Sequence, residues 1–242
     1  MLAVVVLFLV ALAAGALSGL IGTGSSLILL PVLVIVYGPR VAVPVMAVAA
    51  VLAHIGRVAA WRNEIHWRAV LAYAMPGIPA AVLGAHTLLT IPPAVVDGVL
   101  GVFFLVMIVV RRIVATRPWR LRRWQLGLAG AAIGFLTGLI LSTGPLSVPI
   151  FTGYGLAGGA FLGSEAASSL LLYAAKMATF GQFGALPGSV LLRGLAIGAA
   201  LMIGPFLARP LVHRIRPHTY ALLIDFVLVV AAAGMFLAIR GQ

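Results

Sequence analysis

Apolar runs of about twenty residues recur along this chain, and they restrict its fold more than any other feature. A helix needs about 20 apolar residues to cross the roughly 30 Å hydrocarbon core of a bilayer. Two of the runs are short and barely span that core as helices. We predict ten apolar segments, at residues 2–21, 26–38, 41–60, 68–89, 94–111, 125–141, 145–155, 162–182, 189–208 and 219–239, of which 26–38 and 145–155 are the short ones.

These segments are expected to be helices rather than strands. A backbone that crosses lipid must satisfy its own hydrogen bonds, which leaves helices or closed barrels. Barrel strands alternate polar and apolar residues, whereas the run Val99–Val110 is apolar on every side. Only 8% of the residues are charged and 63% are hydrophobic, while a soluble domain carries about 25% charged residues. The sequence therefore predicts an all-α, polytopic membrane helix bundle.

The basic residues lie mainly in short loops between the apolar runs. The net charge of +12 suits nucleic-acid binding, but loop arginines more simply set membrane orientation, because Lys and Arg concentrate in cytoplasmic loops. The linker Arg111–Trp124 holds six arginines and should be cytoplasmic. Ten crossings counted from it place the basic loops at 62–68 and 209–216 on the same side and the uncharged turn at 181–189 outside. Eight crossings would put the 209–216 cluster outside, against the rule.

Two motifs indicate an internal repeat. Gly15–Pro31 reads GALSGLIGTGSSLILLP and Gly134–Pro149 reads GFLTGLILSTGPLSVP, and one single-residue gap aligns them. An odd number of crossings per half orients the copies oppositely, as in many secondary transporters. We predict two inverted repeats of about five segments each, with eight full-length and two short or broken helices. The predicted division is an N-terminal repeat at 1–112, a cytoplasmic basic linker at 113–124 and a C-terminal repeat at 125–242.

Glycine, serine and threonine interrupt the apolar pattern once in each half, directly before the short segments. Glycine loosens a helix and serine or threonine caps one, so each cluster predicts a break followed by a helix N-terminus within the membrane. Such an end attracts anions through free N–H groups and the helix dipole. Close packing through small residues is the alternative. The predicted anion-binding residues are Gly22, Gly24, Ser25, Ser26, Ser142, Thr143 and Gly144.

Arg57 and Lys176 carry charges inside apolar segments at the same spacing as the first parts of the two motifs. Each has a ring side chain three residues earlier, His54 or Tyr173. A charge within the membrane is costly and indicates function, so we predict that both cations bind the anion. His54 and Tyr173 are expected to support these cations or to take part in proton coupling, and His54 is, with Glu165, a candidate proton carrier. The alternative is that the long side chains reach out to the headgroups.

Glu165 is the acidic residue of most interest, because small residues surround it in GSEAASS. It is a candidate to pair with a cation or to carry a coupling proton. The alternative is that it caps the start of its helix. No HExxH, paired aspartates or GxSxG motif occurs, and cysteine is absent, so the sequence supports neither hydrolytic chemistry nor a metal site.

At these motifs the chain resembles the TauE/SafE family, the sulfite exporter or transmembrane anion transporter family. The resemblance lies in GLIGTGSSLILLP at 19–31, in GFLTGLILSTGPLSVP at 134–149 and in the segment after each. It covers essentially the whole chain. It implies movement of small anions, such as sulfite, sulfonates or related organic acids, across the inner membrane without an organic cofactor. The family is commonly described as eight-spanning.

The residues and the resemblance together predict a secondary transporter, an exporter of a small anion by alternating access. The expected partners are the anionic substrate and membrane lipids, without nucleic acid or a metal, and a homodimer is left open. The expected location is the inner membrane, with a cytoplasmic central loop. The alternatives are an intramembrane enzyme acting on an anionic lipid or head group, and a non-transporting membrane subunit.

Overall fold

The computed structural model describes residues 2–22, 25–91, 120–139 and 143–212, and these contain helices and no strand. Eight of the predicted segments are confirmed as helices, with ends within about four residues of the prediction. The segments at 94–111 and 219–239 lie outside the described residues. The helices are α1 (Leu2–Ile21), α2 (Ser25–Tyr37), α3 (Pro39–Trp61), α4 (Trp67–Thr90), α5 (Arg123–Leu139), α6 (Gly144–Gly153), α7 (Gly158–Gln182) and α8 (Gly188–Val212), with a short 3-10 turn at Arg62–Glu64.

The outer surface of the bundle is apolar, as a lipid environment requires. Met75, Leu83 and Leu192 are 72%, 63% and 71% exposed, which would be unfavourable in water. Within the described part of the chain, three helical stretches are long and apolar enough to cross a membrane: Val41–Glu64, Trp67–Thr90 and Gly188–Pro210. The protein is therefore a membrane helix bundle.

The first glycines of each motif bring pairs of helices into close contact. In the first motif, Gly15 lies against Leu201 and Gly19 against Pro205, so α1 and α8 run parallel. A Cβ atom on Gly19 would lie 2.6 Å from the Cα atom of Pro205. Glycine allows this contact, because backbones approach closely only where side chains are absent.

The equivalent glycines of the second motif do the same between α5 and α4. Gly134 packs on Gly77 and Gly138 on Ala81, so these two helices are also parallel. Glycine is required here by the helix contact itself, since added side-chain atoms would meet backbone rather than flexible side chains.

Helix α3 packs against α7 in the opposite direction. Near one end Gly163 lies against Trp61, and farther along the ring centroids of His54 and Tyr173 are 5.1 Å apart. The two helices are equivalent in the predicted repeat, so the contact between them joins the two halves.

The remaining contacts complete an inverted arrangement. Helix α3 runs parallel to α8, where Gly194 meets Val48, and α4 runs parallel to α7. Helices α1, α3 and α8 therefore point one way, and α4, α5 and α7 point the other way. Each contact has a counterpart: α1 with α8 corresponds to α5 with α4, and α3 with α8 corresponds to α7 with α4. For the described helices this is the inverted repeat predicted from the motifs.

The short helices return the chain within each half. Because α1 and α3 run in the same direction, α2 must carry the chain back between them, and α6 does so between α5 and α7. With 13 and 10 residues, they are about 20 and 15 Å long. Gly22, at a φ of 79°, ends α1, and Gly38, at a φ of 74°, precedes α3; glycine adopts both conformations without strain.

Given these helix directions, most of the described loop arginines lie on one face of the bundle. This face holds the ends of α3 and α8 and the starts of α4, α5 and α7. The Arg209 guanidinium lies 5.5 Å from the centroid of the Trp61 ring there. The arginines in these loops and helix ends are Arg62, Arg68, Arg120, Arg122, Arg123 and Arg209. The grouping agrees with the ten-crossing count from the sequence.

Candidate functional site

A polar cavity of about 30 Å³ lies where the two helix breaks meet. Since about 10 to 15 Å³ holds one water molecule, the cavity has room for about two waters or for one small ion. Its walls come from α1, α2 and α3 of the first half and from α6 and α7 of the second. The lining residues are Ser18, Gly22, Ser25, Ser26, Ala50, His54, Arg57, Thr143, Gly144, Glu165, Ser169 and Tyr173.

The structure brings together nine of the twelve residues singled out in the sequence. Gly24 and Ser142 lie outside the described residues, and Lys176 does not line the cavity. Sequence reasoning missed Ser18 and Ser169. Two signals pointed to them: Ser18 aligns with a hydroxyl residue in the other motif, and Ser169 follows Glu165 by one helical turn.

The N-termini of two helices, one from each half, lie at the cavity. Helix α2 begins with Ser25 and α6 with Gly144, which Thr143 precedes. Pro145 occupies the first turn of α6, where a missing N–H is tolerated. N-terminal turns carry backbone donors and a partial positive charge, so the cavity is suited to an anion.

Arg57 brings a full positive charge to the same place. Its side chain is only 2% exposed, so the headgroup interpretation is wrong for this residue. One terminal nitrogen donates to the Gly22 carbonyl, and the other lies 2.6 Å from His54 Nδ1. The latter contact requires an unprotonated Nδ1, because the guanidinium only donates. Arg57 Nε has no hydrogen-bond acceptor among the described residues.

Glu165 neutralises Arg57 across the two halves. Its Oε2 lies 2.8 Å from the Arg57 NH2 atom, and its Oε1 accepts hydrogen bonds from Ser147 Oγ at 3.0 Å and Ser169 Oγ at 2.8 Å. The carboxylate is 1% exposed and lies in the interior of α7, whose N-cap is Ala157. The helix-capping interpretation of Glu165 is therefore wrong.

Lys176 is also buried, but its ammonium group lies elsewhere. Its Nζ donates to the Thr137 carbonyl at 2.9 Å and lies 5.4 Å from the centroid of the Phe180 ring. With 0% exposure it does not reach the headgroups. A substrate-binding role for Lys176 stays a prediction that these contacts do not support.

The two cations have equivalent structural partners. Arg57 bonds to the carbonyl of Gly22, just past the end of α1, and Lys176 bonds to a carbonyl in the last turn of α5. The final carbonyls of a helix lack partners and carry partial negative charge, so each cation stabilises one interrupted helix. In the second half a 2.6 Å contact between the hydroxyls of Thr137 and Thr143 crosses the break. The two halves thus share the same helix arrangement around the break but differ in the side chains that contact it.

Comparison with known proteins places the chain in a family. The model of the family described as Sulfite exporter TauE/SafE matches residues 7–235, which is nearly the whole chain and includes both halves. No curated protein and no solved structure gives a match. The family match, the membrane bundle and its inverted halves lead to one conclusion: the chain belongs to the sulfite exporter TauE/SafE family and is a membrane transporter rather than an enzyme.

Proposed function

We propose that the protein is a secondary transporter that exports a small oxyanion of the sulfite type and binds it in the cavity between the helix breaks. The observation that carries this proposal is the position of the buried Arg57 guanidinium, which lies where two helix N-termini from opposite halves meet. Guanidinium groups and N-terminal turns both favour oxyanions, and here they converge.

The lining of the cavity supports an oxyanion over a halide. Five of the residues that line the space carry serine or threonine hydroxyl groups, namely Ser18, Ser25, Ser26, Thr143 and Ser169, and a hydroxyl group can donate a hydrogen bond to an oxygen atom of a ligand. The volume of about 30 Å³ favours a compact ion over a larger sulfonate or organic acid. The test is uptake of labelled sulfite into vesicles that contain the purified protein, with protein-free vesicles as the control and with unlabelled sulfate, oxalate and methanesulfonate as competitors.

The inverted halves support alternating access by rocking of one half on the other. The anion would be held at the contact of α3 with α7, so the same residues would face each side in turn. In this mechanism both helix breaks remain next to the cavity, while the surrounding helices move apart to open the cavity to one side of the membrane.

The variant Lys176→Met tests whether Lys176 contributes to anion transport as Arg57 is proposed to do. We expect this variant to retain sulfite uptake, because the Lys176 ammonium group bonds to the Thr137 carbonyl and not into the cavity. Initial rates of uptake per folded protein measure the effect, with folding checked by size-exclusion chromatography. Loss of uptake in well-folded Lys176→Met would instead support the two-cation site predicted from the sequence.

The orientation in the inner membrane is also a proposal, with the arginine-rich face and the central linker cytoplasmic. The chain has no cysteine, so single introduced thiols report position directly. We expect Asn63→Cys, in the exposed turn after α3, to react with an impermeant maleimide only from the cytoplasmic side. Ser189→Cys, exposed at the start of α8, should react only from the outside. The reverse labelling pattern would contradict this orientation.

A further inference from the structure

The cavity already contains an anion of its own, the Glu165 carboxylate. It lies 2.8 Å from Arg57 and is almost completely buried, as is the arginine. With His54 uncharged, the charges of Arg57 and Glu165 sum to zero. The proposed substrate therefore has to enter a site whose cation is already paired.

Entry of a second anion beside an ionised Glu165 is unfavourable for two reasons. The carboxylate already accepts from one terminal guanidinium nitrogen, NH2, whereas a bidentate contact with an oxyanion needs two guanidinium donors. The site would also acquire a net negative charge within the membrane, where an uncompensated charge is costly. A proton on Glu165 removes both obstacles. It ends the ion pair, so that the side of Arg57 NH2 that faced Glu165, and the Nε that lacks an acceptor among the described residues, can contact the anion, and it restores neutrality.

Resting on the proposed function, we propose that Glu165 is the proton carrier of this transporter and that one proton travels with each monovalent anion. The carboxylate takes up a proton and becomes a neutral acid, and the Arg57 guanidinium passes from Glu165 to the anion. On the far side the anion leaves, the proton dissociates and the ion pair forms again. Nothing else is bound or released, so atoms and charge balance.

The surroundings of Glu165 accommodate both protonation states. Ser147 and Ser169 donate to the carboxylate as observed, and a hydroxyl also accepts, so the carboxylic acid can donate back to either one. The protonated side chain therefore does not become an unsatisfied buried donor.

The other titratable groups near Glu165 are less suited to this role. A proton on His54 would face the Arg57 guanidinium with a second positive charge. The phenols of Tyr73, from α4, and Tyr173, from α7, interact electrostatically with Glu165. A neutral phenol is already protonated, so neither can accept the coupling proton. The Lys176 ammonium is held by the Thr137 carbonyl.

The mechanism has a consequence for the electrical behaviour of transport. A monovalent anion with one proton carries no net charge, so its flux should not respond to membrane potential. A divalent anion with one proton carries one negative charge and should respond. The direction of net flux then follows the combined gradients of anion and proton.

Proton uptake on binding tests the inference directly. Purified protein is titrated with sulfite by calorimetry at fixed pH in two buffers of different ionisation enthalpy, which counts the protons taken up. The comparison is between wild type and Glu165→Gln, a neutral side chain of nearly the same shape. The protonation of sulfite itself contributes equally to both, so the difference belongs to the protein.

We expect wild type to take up about one proton more per bound sulfite than Glu165→Gln. Its affinity relative to the variant should weaken by up to about tenfold for each unit of rising pH. In vesicles, Glu165→Gln should still exchange labelled for unlabelled sulfite but should no longer move protons beyond those carried by sulfite itself. Equal proton uptake by the two proteins would overturn the inference while leaving the proposed function intact.

Folding does not limit the test. Proton counting on wild type alone is informative, since no uptake beyond that of sulfite itself would also overturn the inference. Ser168→Ala is the matched control on the same helix, because its hydroxyl bonds to the Ser164 carbonyl and not to Glu165; it should behave as wild type. Absence of sulfite binding by wild type would instead contradict the proposed function, and the inference with it.

Discussion

Arg57→Gln is expected to abolish sulfite uptake, with at least a roughly 100-fold loss in initial rate. The guanidinium is the full positive charge in the lining of the cavity, and hydrogen bonds to a charged group contribute about 1.5 to 3 kcal/mol each. Loss of two such bonds to the bound anion accounts for about 3 kcal/mol or more, and each 1.4 kcal/mol is a factor of about ten in binding. Uptake of labelled sulfite into vesicles measures the effect.

The same substitution should lower the stability of the protein by about 3 to 5 kcal/mol, because it leaves the Glu165 carboxylate buried without its cation. A second substitution tells the two effects apart. Arg57→Gln combined with Glu165→Gln removes the unpaired charge, so the melting temperature should largely recover while uptake stays absent. Recovery of uptake in the double variant would show that Arg57 serves only to neutralise Glu165.

Arg193→Gln is the matched control for a cation outside the cavity. Arg193 is exposed near the start of α8, and its guanidinium lies 4.6 Å from the centroid of the Tyr37 ring. We expect wild-type uptake from this variant. If Arg57→Gln folded and transported as well as Arg193→Gln, the cavity would not be the anion site.

Gly138→Ala is expected to disrupt folding strongly, although it adds only one methyl group. A Cβ atom at this position would overlap the carbonyl oxygen of Ala81 and lie 2.6 Å from the backbone nitrogen of Ala85. Both are backbone atoms of α4, so the helices must separate to relieve the overlap. Over-packing typically costs about 1 to 3 kcal/mol, and this contact belongs at the upper end. Thermal denaturation in detergent measures the loss.

Gly188→Ala is the control for the same chemical change. Gly188 is exposed at the start of α8, and an added Cβ atom would have no neighbour within 4 Å among the described residues. Its melting temperature should match that of wild type. Equal melting temperatures for the two variants would contradict the close α4–α5 contact and the inverted packing derived from it.

Much of the fold was predictable because its signals are local. Segment length and composition determine which parts of a chain are stable in lipid, and the predicted ends of eight helices agree with the structure. The motif repeat indicated the inverted halves, and the contacts of Gly19 and Gly138 now give it a physical basis. The bounds of the repeats and linker stay predictions, because they extend beyond the described residues.

The candidate site was predictable in part. The residues at the helix breaks and Arg57 were identified from unusual residue types in apolar surroundings, and those that the structure describes line one cavity. The position of Lys176 was not predictable in this way. Its spacing matched that of Arg57, but the spacing does not reveal which carbonyl or carboxylate lies within reach of each cation.

The lengths and composition of the apolar segments were enough to predict a membrane helix bundle, and the repeated motif was enough to predict two related halves, because each of these signals lies within short stretches of the chain. The partners of the two buried cations, Glu165 for Arg57 and the Thr137 carbonyl for Lys176, became evident only from the packing of the helices. Distance explains this difference. A buried charge takes the partner that helix packing brings within hydrogen-bonding distance, and that packing arises from contacts between segments far apart in the chain.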